Sequence, residues 1–155
     1  MPTSIIDLVI DPAASPSPHN MSHTMKLKAG GSPNVREEPP SSPTTSGRKL
    51  HVKGGSETLR FVVTATSGPA WHPTGVMFVE MNTGLPVGFA PVDPSSPFSG
   101  LKLNGNTVEF TDQYAHTSVV ANQKPRLYKF SVIVQRHGDK ETGIIDPEIE
   151  NNDAT

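Results

Sequence analysis

The run Arg126 to Arg136, RLYKFSVIVQR, alternates strictly enough to dictate how it sits in a folded chain. Tyr128, Phe130, Val132 and Val134 fall on one side of an extended backbone and Lys129, Ser131 and Gln135 on the other, the period of two that a half-buried strand imposes. Glu57 to Thr66 repeats the pattern, with Leu59, Phe61, Val63 and Ala65 inward and Thr58, Arg60, Thr64 and Thr66 outward; Val62 is the one apolar residue on the outer side. Aromatic and β-branched side chains suit such a pleated surface. No segment keeps apolar residues at i, i+3, i+4 and i+7 for three turns, so little helix is expected.

Shorter candidates for strands are Ser4 to Ile10, Lys49 to Lys53, Gly75 to Met81, Pro86 to Ala90, Thr107 to Thr111 and Thr142 to Glu150. Gly54-Gly55, Asn82-Thr83-Gly84, Asn104-Gly105-Asn106 and His137-Gly138-Asp139 punctuate them with residues that tolerate positive φ. Short strands divided by turns predict an all-β fold, an antiparallel β-sandwich.

Pro (16) and Gly (13) together approach a fifth of the chain. Residues 11–48 are rich in Pro, Ser, Gly and Thr and lack sustained periodicity, apart from a short piece around Met21 to Leu27. They read as a mobile segment, least ordered from Ala29 to Gly47. The expected organisation is an N-terminal strand within 1–10, the mobile segment 11–48, a sandwich domain 49–152 and a tail 153–155.

In the closing run GIIDPEIENN, Ile145, Pro147 and Ile149 alternate with Asp146, Glu148 and Glu150, so a strand here buries the first set. Pro147 has no N–H for a ladder, which suits an edge position or a strand start, and a charged edge resists pairing with strangers. The order FVVTAT, NTGLPVGF, VEFTD, YKFSVIVQRHGDKETGIIDPEIEN resembles the DP-EP family of small uncharacterised bacterial proteins from about Lys49 to Asn151. The resemblance implies an immunoglobulin- or cupredoxin-like sandwich without an established activity, and it carries no catalytic residues over.

A formal charge of −2 and the absence of any Lys/Arg cluster argue against nucleic acid as a partner. The absence of cysteine excludes disulfides, thiolate zinc sites and a thiol nucleophile. Ile5 to Ile10, broken by Asp7, is too short for a signal peptide core or for the roughly 20 residues of a membrane span. No membrane partner and a cytoplasmic location are therefore expected.

One small motif suggests chemistry. His19, Met21, His23 and Met25 recur at every second position, so an extended chain puts them on one side, and imidazole with thioether is a ligand set suited to copper. His72 extends that set. The plain alternative is a polar strand in which His and Met recur by chance. Met77 and Met81 read as core fillers, and Trp71 as a core aromatic capping one end of the sandwich. The acids Asp146, Glu148, Glu150 and Asp153, with Asp93 and Asp112, offer oxygens to Ca²⁺, but no D-x-D-x-D-G loop is present and outward acids on a strand need no metal. There is no G-x-S-x-G elbow or H-E-x-x-H helix. The expectation is a non-enzymatic binding or structural module, without a cofactor, whose partner is a protein or small ligand and which self-associates through an edge strand. A copper-binding protein is the rival.

Overall fold

The computed structural model describes residues 3–15, 17, 21–38, 49–53, 56–81, 83–93, 96–113 and 126–152. They form β1 (Ser4–Ile10), β2 (His23–Leu27), β3 (Val35–Glu38), β4 (Lys49–Lys53), β5 (Ser56–Ala65), β6 (Trp71–Glu80), β7 (Leu85–Val87), β8 (Phe98–Asn104), β9 (Thr107–Gln113), β10 (Arg126–Arg136), β11 (Thr142–Ile145) and β12 (Glu148–Asn152). The first sheet runs β2-β1-β5-β9-β8, and the second β3-β4-β12-β10-β6-β7 with β11 also paired to β10. Among the described residues the one helical element is a 3-10 turn, Pro12–Ala14.

The alternating strands bury the sides their sequences select. Leu59, Phe61 and Val63 of β5, and Tyr128, Phe130, Val132 and Val134 of β10, are all buried. Aromatic rings join the sheets: Phe78 of β6 stacks on Phe98 of β8 with centroids 3.9 Å apart, and Phe61 meets Phe130 at 4.9 Å. Such pairs add to what their buried area alone contributes.

The sandwich is mixed, not purely antiparallel. β1 runs parallel to β5, from Ser4 opposite Leu59 to Ile10 opposite Ala65, and β12 runs parallel to β4 from Glu148 opposite Lys49. Period-2 alternation selects a strand's buried side and carries no information about its neighbour's direction, while a parallel pair needs a crossover between its members. Here the crossover from β1 to β5 passes through β2, β3 and β4.

Part of the segment expected to be mobile is therefore ordered. β2 pairs with β1, Leu8 opposite Met25, and β3 with β4, Val35 opposite Val52. Between β1 and β2 the Asp11 side chain accepts the N–H of Ala14 at 3.3 Å, and the Asp11 N–H donates to the Ser22 carbonyl at 2.9 Å. The Met21 to Leu27 piece is β2 with its approach. The Pro/Ser-rich residues 39–48 lie outside the described residues.

The closing run is not an edge. β12 sits between β10 and β4, and β11 and β12 share one side of β10, covering Val132 to Gln135 and Arg126 to Lys129 respectively. Pro147 stands at the break, immediately before β12, where its carbonyl accepts the Phe130 N–H at 3.0 Å and no donor is required of it. Ile145 and Ile149 are buried as the alternation requires.

Met77 and Met81 are not core residues: they are 56% and 45% exposed. The register of β6 against β10 shifts between Ile133 and Val134; Phe78 opposite Phe130 takes the inward position, and Met77, opposite Ser131, faces out. Because Phe78 touches Phe89, Phe98, Phe110 and Phe130, Phe78→Ala should cost about 3–5 kcal/mol in urea unfolding, whereas Lys26→Gln on exposed β2 should stay within about 0.5 kcal/mol of wild type.

Candidate functional site

One end of the sandwich gathers concave surface with mixed chemistry. Where β6 begins and β10 ends, Trp71 stands opposite Arg136 and His72 opposite Gln135. The Trp71 ring is buried, and the Arg136 guanidinium lies over it, 5.5 Å from the centroid, an attraction between the cation and the electron-rich face. Arg136 also pairs with Asp139 and Glu141. The guanidinium of Arg136 holds the Asp139 carboxyl down to about 2, and that hydrogen bond raises Arg136 in turn. Pro12, Ser15, Ser17, Met21, Trp71, Arg136 and Glu141 line a cavity of about 220 Å³. The Ser15 hydroxyl in it is occupied, donating to the Asp11 carbonyl at 2.7 Å and accepting the Ser22 N–H at 3.1 Å.

Beside it lies a more open groove of about 420 Å³, lined by His72, Pro73, His137 and, from the β8–β9 hairpin, Leu103, Asn104 and Gly105. The His72 and His137 rings meet edge to face at 6.4 Å. His137, in the Gly turn after β10, had no sequence signal beyond its residue type.

The copper set is dispersed. His19 lies outside the described residues. Met21, His23 and Met25 do share a side, but it is the core side: Met25 is buried opposite Leu8, and Met21 is buried against the Trp71 cavity. Their alternation is the period of a strand that buries thioethers as hydrophobes. His23 is half-buried, with Nδ1 3.3 Å from the Met21 carbonyl. His72 belongs to the other sheet, in a groove that none of the β2 residues lines.

Two of the tail acids, Asp146 and Glu150, have protein partners. Asp146 accepts the Ser131 hydroxyl at 2.6 Å and faces Lys129. Glu150 pairs with Lys49 at 3.3 Å and with Nε2 of buried His51, whose Nδ1 faces Arg36. Asp93 accepts the Gly88 N–H at 3.1 Å. The Asp153 position lies outside the described residues.

The four sheet edges differ in how they are protected. β2 and β3, at the same side of the sandwich, are bridged by the Leu27 N–H and the Glu37 carboxylate. β7 is three residues long and contains Pro86, which has no donor to offer. Among the described residues β8 pairs with β9 and, at Ser99, with Ala90, and from Gly100 to Asn104 it is exposed throughout, with Leu101 and Leu103 at 36% and 42%. Its ladder is irregular between Ser99 and Lys102, where Gly100 adopts φ +68°, a conformation that favours glycine.

No protein-family model matches this chain, and no curated protein matches it. Among solved structures it is similar to the inclusion body protein PixA of Burkholderia cenocepacia J2315, at 12% identity over 99% of this chain and 97% of that one, with a TM-score of 0.49.

Burial holds the His23 imidazole below the ordinary histidine value, against the smaller opposing pulls of the Met21 carbonyl and the Asp146 carboxylate. The folded state therefore binds this proton less readily than the unfolded chain, so stability is full above about pH 6.5 and falls as pH drops through the unfolded histidine value towards the folded one. The urea midpoint should decline between pH 7.5 and 5.5, and the decline should shrink in His23→Gln. In NMR the His23 Cε1 proton should titrate at a lower pH than those of exposed histidines.

Proposed function

We propose that this protein is a non-enzymatic β-sandwich module, of the immunoglobulin- or cupredoxin-like kind that its closing strands resemble, and that it self-associates along β8. The observation that carries this is the edge from Gly100 to Asn104, which has no second neighbour among the described residues. An open edge presents unpaired N–H and C=O groups to any extended chain, and pairing there continues the sheet at the cost of little rearrangement. Leu101 and Leu103 add apolar area on the same strand. The other three edges are bridged, short or proline-bearing, so a second copy finds its pairing surface at β8.

Among the described residues, no hydroxyl lining the Trp71 cavity has a mapped hydrogen bond to a base, and this supports a module over an enzyme. Ser15, the hydroxyl there with mapped partners, is held by backbone groups and not by a base. His51, the buried imidazole, has one nitrogen on Glu150 and the other facing Arg36, which leaves neither for a substrate.

Sedimentation equilibrium from micromolar to millimolar protein should show the mass rising from monomer towards dimer, with Leu103→Lys remaining monomeric. Met77→Lys, a change at a more exposed apolar position on the outer side of β6, should leave the association intact. A wild-type monomer throughout that range defeats the reading.

A further inference from the structure

Two imidazoles meet where β6 begins and β10 ends. His72 stands opposite Gln135 in the β6–β10 ladder, and beyond it the His137 N–H donates to the Ala70 carbonyl at 2.8 Å. That pairing makes His137 the diagonal neighbour of His72 on one side of the sheet, a separation that long side chains bridge. The two rings lie edge to face, 6.4 Å between centroids, and both line the groove closed on its far wall by Leu103, Asn104 and Gly105 of the β8–β9 hairpin. Arg136, between Gln135 and His137 in sequence, turns the other way: it covers Trp71 and pairs with Asp139 and Glu141. Among the described residues no hydrogen bond or ion pair engages either imidazole, and no Asp or Glu lines the groove. His72 is half-buried and His137 exposed, so both rings keep nitrogen lone pairs available to a ligand that reaches the groove from solvent.

We infer that His72 and His137 together bind a divalent transition-metal ion, Zn²⁺ or Cu²⁺, in this groove, with water completing its coordination. Neutral imidazole is the commonest protein ligand for such ions. Nitrogen donors without a carboxylate select Zn²⁺ and Cu²⁺ over Ca²⁺ and Mg²⁺. An imidazole nitrogen holds Zn²⁺ at about 2.0–2.1 Å, which puts the ion roughly 3.2 Å from the ring centre, so two rings on one tetrahedral ion have centres roughly 5.2 Å apart. From 6.4 Å, closing that gap takes a turn about the side-chain torsions of His137, whose ring no hydrogen bond fixes among the described residues. Two protein ligands leave positions open to solvent, as in sites that exchange ligands and unlike closed structural ones. The site shares only His72 with the spacing motif of the sequence, and its second ligand comes from the turn after β10. Leu103 borders the groove, but both ligands belong to the second sheet, so the inference does not rest on self-association at β8.

The test uses full-length protein without an affinity tag, stripped with EDTA and exchanged into metal-free buffer at pH 7.5. Zn²⁺ and Cu²⁺ are titrated separately by calorimetry, and substoichiometric Cu²⁺ is followed by the paramagnetic broadening of the histidine Cε1 protons. His72 and His137 should broaden together and first, with His23 spared. Loss of an outer-shell partner alone costs a metal site about 10–100-fold, so loss of one of two ligands, in His72→Gln or His137→Gln, should weaken binding at least about tenfold. His23→Gln should bind as wild type does. If His72→Gln does not fold, His137→Gln, a change in an exposed turn, carries the comparison. The inference is overturned if neither ion binds the wild type, if His137→Gln binds both as tightly as wild type, or if broadening and loss of affinity follow His23 in place of the pair.

Discussion

Phe78 and Phe98 lie face to face across the sandwich, with 3.9 Å between centroids and 8° between ring planes, and around them Phe61, Phe89, Phe110, Phe130 and Tyr128 close a continuous aromatic layer. Apart from Phe89, in the loop after β7, each ring comes from a strand, so the layer exists only if β5, β9 and β8 of one sheet and β6 and β10 of the other hold their registers together. A slip of one residue in any of them would turn its ring to solvent. The bulge opposite Ile133 and Val134 belongs to the same constraint: it resets β6 so that Trp71 and Phe78, on either side of the irregularity, are both buried.

The strongly periodic strands were legible because burial on one side leaves a mark in the sequence. β1, β4 and β10 have the boundaries that their patterns predict, and Ile145, Pro147 and Ile149 are buried as their alternation implies. β8 left no such mark. Beyond Phe98 it is exposed on both sides, so SGLKLN carries no alternation to find. β3, VREE, buries Val35 between polar neighbours, and its pairing with β4 carries no mark in its own alternation.

The candidate site was less legible than the fold, for a related reason. Trp71 was readable as a core aromatic, but its guanidinium cover comes from Arg136, brought to it by β6–β10 pairing. Likewise Glu57 has the appearance of a polar residue at a strand start until β9 sets Asp112 opposite it. Conversely, His19, Met21, His23 and Met25 gave a ligand-like spacing that the fold uses for burial at Met21 and Met25. A side chain's type and spacing constrain which side of its strand it occupies; the identity of what it meets there is a property of long-range pairing.

Those long-range pairings also explain why the molecule has two unlike sides. The chain leaves β1 and β2 in the first sheet, crosses to β3 and β4 in the second, and returns to β5 alongside β1. This path lays β2 and β3 next to each other at one side, where Leu27 and Glu37 link the sheets, and it inserts β4 against β12 so that the closing strand is enclosed. On the other side the chain crosses from β7 of the second sheet to β8 of the first. There β7 is short, and only the Ala90–Ser99 bridge reaches from the loop after it to β8. Among the described residues, none beyond the Ser99 bridge supplies β8 with a second neighbour. Among the described residues, the sandwich is thus linked between β2 and β3 on one side and leaves the irregular β8 as the outer strand of its sheet on the other.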